Sequence, residues 1–247
     1  MNDLADLSIV IPVFNGETFL KDSLAELEQF VRNSENKIEL IIVNDGSTDN
    51  TLSIVRAFAE KDQPCQVVYL QENTGKGAAI KAGLKLAQGN YVCFTDADLP
   101  YGLDILNDML NYIREHEKIA LLYGSRSHEK SSFKQNYGLI RRFGRLFFSC
   151  LVRFLAISEV SDTQCGIKMM INKLTFLVVE KSIIKRFAFD IELFVISKVN
   201  NFVFHSFPVK LRHQKESSVK LVSDTTVMIM DIFKIRSNIN QGLYTKK

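Results

Sequence analysis

Residues 91–100 read Tyr91-Val92-Cys93-Phe94-Thr95-Asp96-Ala97-Asp98-Leu99-Pro100. A short apolar run breaks off into two carboxylates with a single residue between them. The run has the length and continuous hydrophobicity of a strand buried on both faces. Two carboxylates so close repel each other and lose hydration where they are partly buried. The arrangement is costly unless a cation lies between or beside them. Hard divalent cations such as Mg2+ and Mn2+ take carboxylate oxygens together with substrate phosphates. An isolated D-x-D string is usually a solvated turn; position at a strand end sets this one apart.

The same design repeats outward from this point. Apolar, β-branched runs at 7–14, 38–43 and 67–70 read as strands, and 91–95 is the fourth. Between them, 17–31, 49–59 and 76–87 carry helical spacing, with Ser47 or Thr48 placed as an N-cap for the second helix. Beyond, 103–114 reads as a helix and 119–123 as a strand. Uniformly apolar strands alternating with amphipathic helices predict an α/β fold, a mostly parallel sheet with helices on both faces. The second half is less regular. Polar 125–136 reads as a loop, 137–157 as a basic apolar helix, and 162–171 as a loop entering a strand. Residues 189–199 read as a helix, 202–211 as a strand and 224–236 as a last helix. There is no repeat and no linker, so 1–237 is expected to form one domain, with 238–247 a polar tail and a candidate for disorder.

Bulk properties agree with a globular chain: 247 residues, 46% hydrophobic, with only 12 Gly and 4 Pro. The net charge of +3 gives no reason to expect nucleic-acid binding. Charge is nevertheless uneven: Lys134 to Arg153 holds five basic residues and no acidic one, a candidate contact for anions or a membrane surface. Four scattered Cys without a C-x-x-C argue against zinc. Cys93, inside an apolar run, reads as a small buried hydrophobe. Reduced thiols and no signal peptide point to the cytoplasm, and no stretch reaches about 18 consecutive apolar residues.

In parallel sheets ligands bind beyond the carboxyl ends of the strands. The first strand ends in Pro12-Val13-Phe14-Asn15-Gly16-Glu17 and the second in Asn44-Asp45-Gly46-Ser47-Thr48-Asp49. Each reads alone as a capping turn; on adjacent edges they can grip a base and ribose, with Asp45 accepting from a base edge. After the third strand, Thr74-Gly75-Lys76-Gly77 enters a helix. It offers close backbone approach and helix N-terminal amides to a ligand, but it is neither G-x-G-x-x-G nor a Walker loop.

With these four strand ends in order, the sequence resembles a family 2 glycosyltransferase of the GT-A fold. The matching strings are SIVIPVFNGE, IIVNDGSTDNT, ENTGKGAAIKAG and YVCFTDADLP. The second half narrows the likeness. GSR at 124–126, RRFGRLFF at 141–148, SDTQCGIKMM at 161–170, FAFDIEL at 187–193 and the stretch 218–236 resemble dolichyl-phosphate glucosyltransferases, and less closely dolichyl-phosphate mannose synthases. The resemblance implies a nucleotide-sugar donor, a polyprenyl-phosphate acceptor, a divalent metal and inversion at the anomeric carbon. UDP-glucose is the favoured donor, because Pro100 stands where mannose synthases often have a metal-contacting Gln. GDP-mannose, or a glycan or protein hydroxyl as acceptor, is the alternative. The N-terminal membrane helix usual in the eukaryotic glucosyltransferases does not show in this sequence.

The resemblance also assigns residues. Pro12, Val13, Asn15, Glu17, Asp45, Gly75, Lys76, Asp96, Ala97 and Asp98 form the donor site, with Asp98 and then Asp96 as metal ligands. A phosphate acceptor is already anionic and needs no strong base; it needs basic residues. Arg126, Arg141, Arg142 and Lys220 are the candidates, with Asp162, Thr163 and Gln164 lining the sugar or acceptor site. Asp190, with Arg126 and Arg141, is placed in the catalytic set: it faces the sugar, or acts as base toward a hydroxyl. A helix-capping role is its plain alternative, and Asp190 and Glu192 both need partners in so apolar a setting. Cys165 reads as a packed small residue. The 137–157 helix, with Phe143, Phe147 and Phe154 among Arg142, Arg145 and Arg153, can lie in a membrane interface or in the core. A sugar-phosphate nucleotidyltransferase is disfavoured, because PVFNGE lacks its Gly-rich basic run. A non-catalytic nucleotide-sugar-binding module is disfavoured by the intact D-x-D.

Overall fold

Leu7–Val13 (β1), Ile38–Asp45 (β2), Cys65–Leu70 (β3) and Tyr91–Phe94 (β4) alternate with helices Leu20–Asn33 (α1), Thr51–Ala59 (α2) and Lys76–Leu84 (α3). Helix Asp104–Glu115 (α4) then leads into Ile119–Ser125 (β5). The chain continues with Lys168–Ile171 (β6), Asn172–Lys181 (α5), Phe189–Val199 (α6), Val203–Pro208 (β7) and Leu221–Asn240 (α7). The computed structural model describes residues 5–61, 64–131, 157–160, 162–212 and 221–246, with backbone alone for 221–225.

The seven strands form one sheet in the order β3-β2-β1-β4-β6-β5-β7. β6 runs antiparallel to β4 and β5, and the other neighbours are parallel. Strand side chains alternate between two apolar layers. Val10, Ile41, Val43, Phe94 and Leu121 face α3, α5, α6 and α7. Leu7, Ile9, Ile11, Leu40, Ile42 and Cys93 face α1, α2 and α4. With both faces covered, the central strands show no polar alternation, which is why they read as continuous apolar runs. α4 shows how a helix is fixed: Ile105, Leu106, Met109, Leu110 and Ile113, at helical spacing, are all buried. Each such side chain contributes about 1.5–3 kcal/mol.

Three expectations change. Helix α5 is absent from the sequence reading; its Val178, Val179 and Phe176 dilute the helical signal, yet Leu174, Leu177 and Val178 pack into the core. Helix α1 starts at Leu20 rather than 17, because Gly16 and Glu17 are spent on a neighbouring turn. The last helix runs through the expected boundary at 237/238 to Asn240, and the following turn folds back. Tyr244 is 1% exposed and donates to Glu192 Oε1 at 2.7 Å, so the segment from 238 is anchored rather than loose.

Candidate active site

The turns after β1 and β2 are laced together. Asn15 N donates to Ser47 Oγ at 3.0 Å, and Thr48 N to Asn15 Oδ1 at 2.8 Å. Gly16 N donates to Thr51 Oγ1 at 2.7 Å, Glu17 N to Asp49 Oδ2 at 3.1 Å, and Asn50 N to Glu17 Oε2 at 2.9 Å. Asn15 sits at φ 50°, a left-handed conformation that Asn tolerates better than other side-chain-bearing residues. Ser47 and Thr48 therefore do not cap α2. Its N-cap is Asn50, without a side-chain bond, while Asp49 Oδ1 takes Thr51 N at 3.0 Å. The polar groups of Asn15 and Glu17, expected to grip a ligand, largely grip this second turn. Pro12 is half-buried and Val13 buried beneath them.

Asp45, at the end of β2, is 2% exposed. Its Oδ1 accepts from Thr74 N and Thr74 Oγ1, both at 2.8 Å, and its Oδ2 from Gly75 N at 2.9 Å. The carboxylate thus shapes the turn entering α3. Gly75 has φ 102°, and a Cβ there would fall 2.7 Å from Lys185 O and 2.8 Å from Arg186 Cγ. Two of the amides that this glycine turn is expected to open to a ligand are taken within the protein. Gly75 N belongs to Asp45, and Ala78 N donates to Lys185 O at 2.8 Å. The close approach that glycine permits is to the protein's own chain.

Beyond β4, Asp96 and Asp98 are half-buried, and Ala97 between them is buried. Lys76 Nζ reaches from the start of α3 to Asp96 Oδ1 at 2.5 Å. Burial opposes the charge on Lys76, but the Asp96 carboxylate, with that of Asp190 behind it, raises its pKa above the ordinary value. On the other side, a Cβ on Gly166 would lie 1.8 Å from Asp96 Oδ2, so only glycine admits this approach. Leu99, at φ 48° and 2% exposed, turns the chain away from the pair.

Arg126 follows β5 and meets Asp162 in a two-pronged pair, Nε to Oδ2 and NH2 to Oδ1, each at 2.8 Å. Its amide also donates to Asp162 Oδ2, at 3.0 Å. Burial works against ionisation of Asp162, but the Arg126 hydrogen bonds and charge outweigh it and hold its carboxyl below the usual value. In the same loop Gln164 Nε2 is buried with no partner among the described residues; so is Asn44 Oδ1 beside Asp45. Cys165 is fully buried, and burial raises its thiol pKa, which suits a packed residue and not a nucleophile.

Asp190, 3% exposed near the start of α6, does not cap that helix. Its Oδ1 pairs with Lys168 Nζ at 2.6 Å. The sequence reading passed over Lys168, although a lysine between Ile167 and Met169 in an apolar strand is itself a signal. Glu192 also has its partners, away from the rim: the amides of Ile183 and Ile184, and Tyr244. Arg141, Arg142 and Lys220, and nearly all of the expected 137–157 helix, lie outside the described residues. A groove of about 590 Å³ lined by Val31, Lys37, Cys65 and Gln88 sits at the opposite, amino ends of the strands and has no part in this cluster.

A mostly parallel seven-stranded sheet, covered on both faces and carrying paired carboxylates beyond a central strand, is a GT-A arrangement. Residues 8–175 match the family described as Glycosyl transferase family 2, and the chain belongs to it and is a glycosyltransferase. A dolichyl-phosphate beta-glucosyltransferase of Trichomonas vaginalis is 30% identical, over 97% of this chain and 73% of that one. Its counterpart in Dictyostelium discoideum is 28% identical, over 98% of this chain and 77% of that one. Among solved structures, glucosyl-3-phosphoglycerate synthase from Mycobacterium tuberculosis, crystallised with Mn2+, UDP-glucose and phosphoglyceric acid, superposes with a TM-score of 0.69. It covers 94% of this chain and 79% of its own length at 18% identity, a likeness of fold.

Proposed function

We propose that the chain transfers glucose from UDP-glucose to the phosphate of a polyprenyl lipid of the dolichyl type, with inversion at the anomeric carbon. The observation that carries this reading is the likeness to dolichyl-phosphate beta-glucosyltransferases along 97% of this chain. The site is compatible with it. An acceptor phosphate is already ionised, so the reaction asks for cations and alignment more than for a base. Asp190, the carboxylate assigned to the sugar, has one oxygen tied to the Lys168 ammonium.

The donor set suits Mg2+ or Mn2+. Asp98 and Asp96 offer oxygen only, and no group of three His, Cys, Asp or Glu able to hold a metal occurs among the described residues. Such cations complete their shells with phosphate oxygens and water, whereas a structural zinc site is closed by Cys and His. Asp98 is the principal ligand in this proposal and Asp96, whose Oδ1 meets Lys76, the second. The bound cation supplies a Lewis acid for the departing diphosphate. Asp45 fixes the Thr74–Gly75 turn against the nucleotide, with Pro12, Val13, Asn15, Glu17 and Ala97 shaping the pocket. Gln164 Nε2, a buried donor without a partner among the described residues, is assigned to a sugar or acceptor oxygen. Arg126 at the rim, with Arg141, Arg142 and Lys220, receives the acceptor phosphate. Contact with the cytoplasmic face of a membrane through 137–157 belongs to the same proposal; no helix among the described residues is long and apolar enough to cross one.

The test is transfer of radiolabelled sugar to a short polyprenyl phosphate, with Mn2+ or Mg2+ and a panel of UDP- and GDP-sugars. Label extracted into organic solvent from UDP-glucose, and abolished by EDTA, is the expected result. Metal-dependent donor hydrolysis without lipid product discards the acceptor, and product from GDP-mannose alone discards the sugar. Transfer to a glycan or protein hydroxyl would appear as label on an added oligosaccharide or in acid-precipitated protein, with none in the organic phase.

A further inference from the structure

Lys168 opens β6 with 0% of its side chain exposed. Its ammonium donates to Asp190 Oδ1 and to Cys165 O, each at 2.6 Å. It lies 5.4 Å from the ring centre of Phe94 and 5.8 Å from that of Phe194. These contacts belong to three segments. Phe94 ends β4, two residues before Asp96. Cys165 precedes Gly166, where any Cβ would collide with the Asp96 carboxylate. Asp190 and Phe194 lie on α6. One charged atom therefore joins the D-x-D turn, the 162–166 loop, and the helix carrying the sugar-side carboxylate.

Stability alone is a poor reason for this arrangement. A buried ion pair is commonly no better for stability than well-packed apolar side chains of the same volume. A methionine at Lys168 and an apolar residue at Asp190 would serve a core purely as core. What the pair supplies is direction: one Asp190 oxygen is pinned, which sets where the other points, and the Cys165 carbonyl fixes the loop to the same point.

We infer that Lys168 is a positioning residue, which holds Asp190 and the 162–166 loop in register with Asp96 and Asp98 without touching substrate. The inference rests on the reading of Asp190 as a sugar-facing group. A displacement of about 1 Å in such a group can cost about 100-fold in rate.

The experiment uses the full chain as Lys168→Met, Lys168→Arg, Asp190→Asn and the Lys168→Met/Asp190→Asn pair, with folding checked by circular dichroism. Steady-state transfer is then measured for each. Lys168→Met is expected to lower kcat about 100-fold with little change in KM for the nucleotide sugar. Lys168→Arg should recover part of that loss through the retained charge. Because the two residues act as a unit, the double variant should be no worse than the poorer single variant. If Lys168→Met does not fold, the double variant, which leaves no lone buried charge, and Lys168→Arg carry the comparison. A folded Lys168→Met enzyme with wild-type kcat overturns the inference, as do single losses that multiply in the double variant. Wild-type kcat in Asp190→Asn sinks the sugar-facing reading instead, a separate and recognisable failure.

Discussion

The two halves of the strand-end rim hold their carboxylates by different means. Beyond β1, β2 and β3, carboxylates are met mainly by main-chain amides: Asp45 by Thr74 and Gly75, Asp49 by Glu17 and Thr51, and Glu17 by Asn50. Beyond β4 and across β5, β6 and α6 they are met by side-chain cations: Asp96 by Lys76, Asp162 by Arg126 and Asp190 by Lys168. Amide partners fix the shape of a turn and have little freedom to leave. Ammonium and guanidinium groups on long side chains can exchange one anion for another. The first half is thus a preset cradle; in the second, Lys76 and Arg126 are partly exposed cations that can re-pair with an arriving anion, while Lys168 is fully buried and holds its partner fixed.

The largest expected effect falls in the charged half. Asp98→Ala removes the principal proposed metal ligand, and a Lewis-acid contribution of several kcal/mol corresponds to about a thousandfold loss of transfer. Asp98 lies at a half-buried turn, so the thermal midpoint should barely move. Transfer assays paired with thermal melts read both quantities. Retained transfer would show that the reacting centre is elsewhere, and the contrast between the halves would lose its functional meaning.

A smaller effect sharpens the description of the cradle. Asp45→Asn replaces one acceptor oxygen by an NH2 group facing Thr74 or Gly75 amides, leaving a buried donor unpaired at about 2 kcal/mol. If Asp45 acts chiefly by shaping the turn, urea unfolding should show that loss and KM for the nucleotide sugar should rise with it. If instead it reads the base directly, discrimination between UDP- and GDP-sugars should collapse while stability hardly changes.

The cradle was far more legible in the sequence than the charge pairs. Each strand end announces itself where an apolar run meets Asn15, Asp45 or Asp96, and α6 begins and ends where its spacing places it. Periodicity reports only which face of an element is buried. It does not report that Arg126 meets a carboxylate 36 residues away, or that Tyr244 closes on Glu192 across 52. The glycine turn at Gly75 reads in the sequence as room for a ligand, whereas the chain that closes on it, at Lys185, lies far along the sequence. Lys168 went unnoticed because a single cation in an apolar strand leaves the hydrophobic pattern intact.

Acid provides the gentlest test of the comparison. Asp49 and Asp162 are both held below their ordinary value of 3.8, and in both burial pulls the other way. For Asp49 the hydrogen bonds of Thr51 and Glu17 outweigh burial; for Asp162 those of Arg126 and its charge do. A carboxyl depressed by folding contributes stability that is present above the unfolded value and is lost as pH falls through the folded one. Both contributions should therefore be intact at pH 7 and fade below about pH 4. Their consequences differ. Protonated Asp49 still faces amides, whereas protonated Asp162 leaves a partly buried guanidinium without its counter-charge. Calorimetric melts between pH 7 and pH 3 should flatten more for Asp162→Asn than for Asp49→Asn, relative to wild type. Equal flattening would mean that the amide-held and cation-held carboxylates respond alike, and the distinction between the two halves would then be one of geometry only.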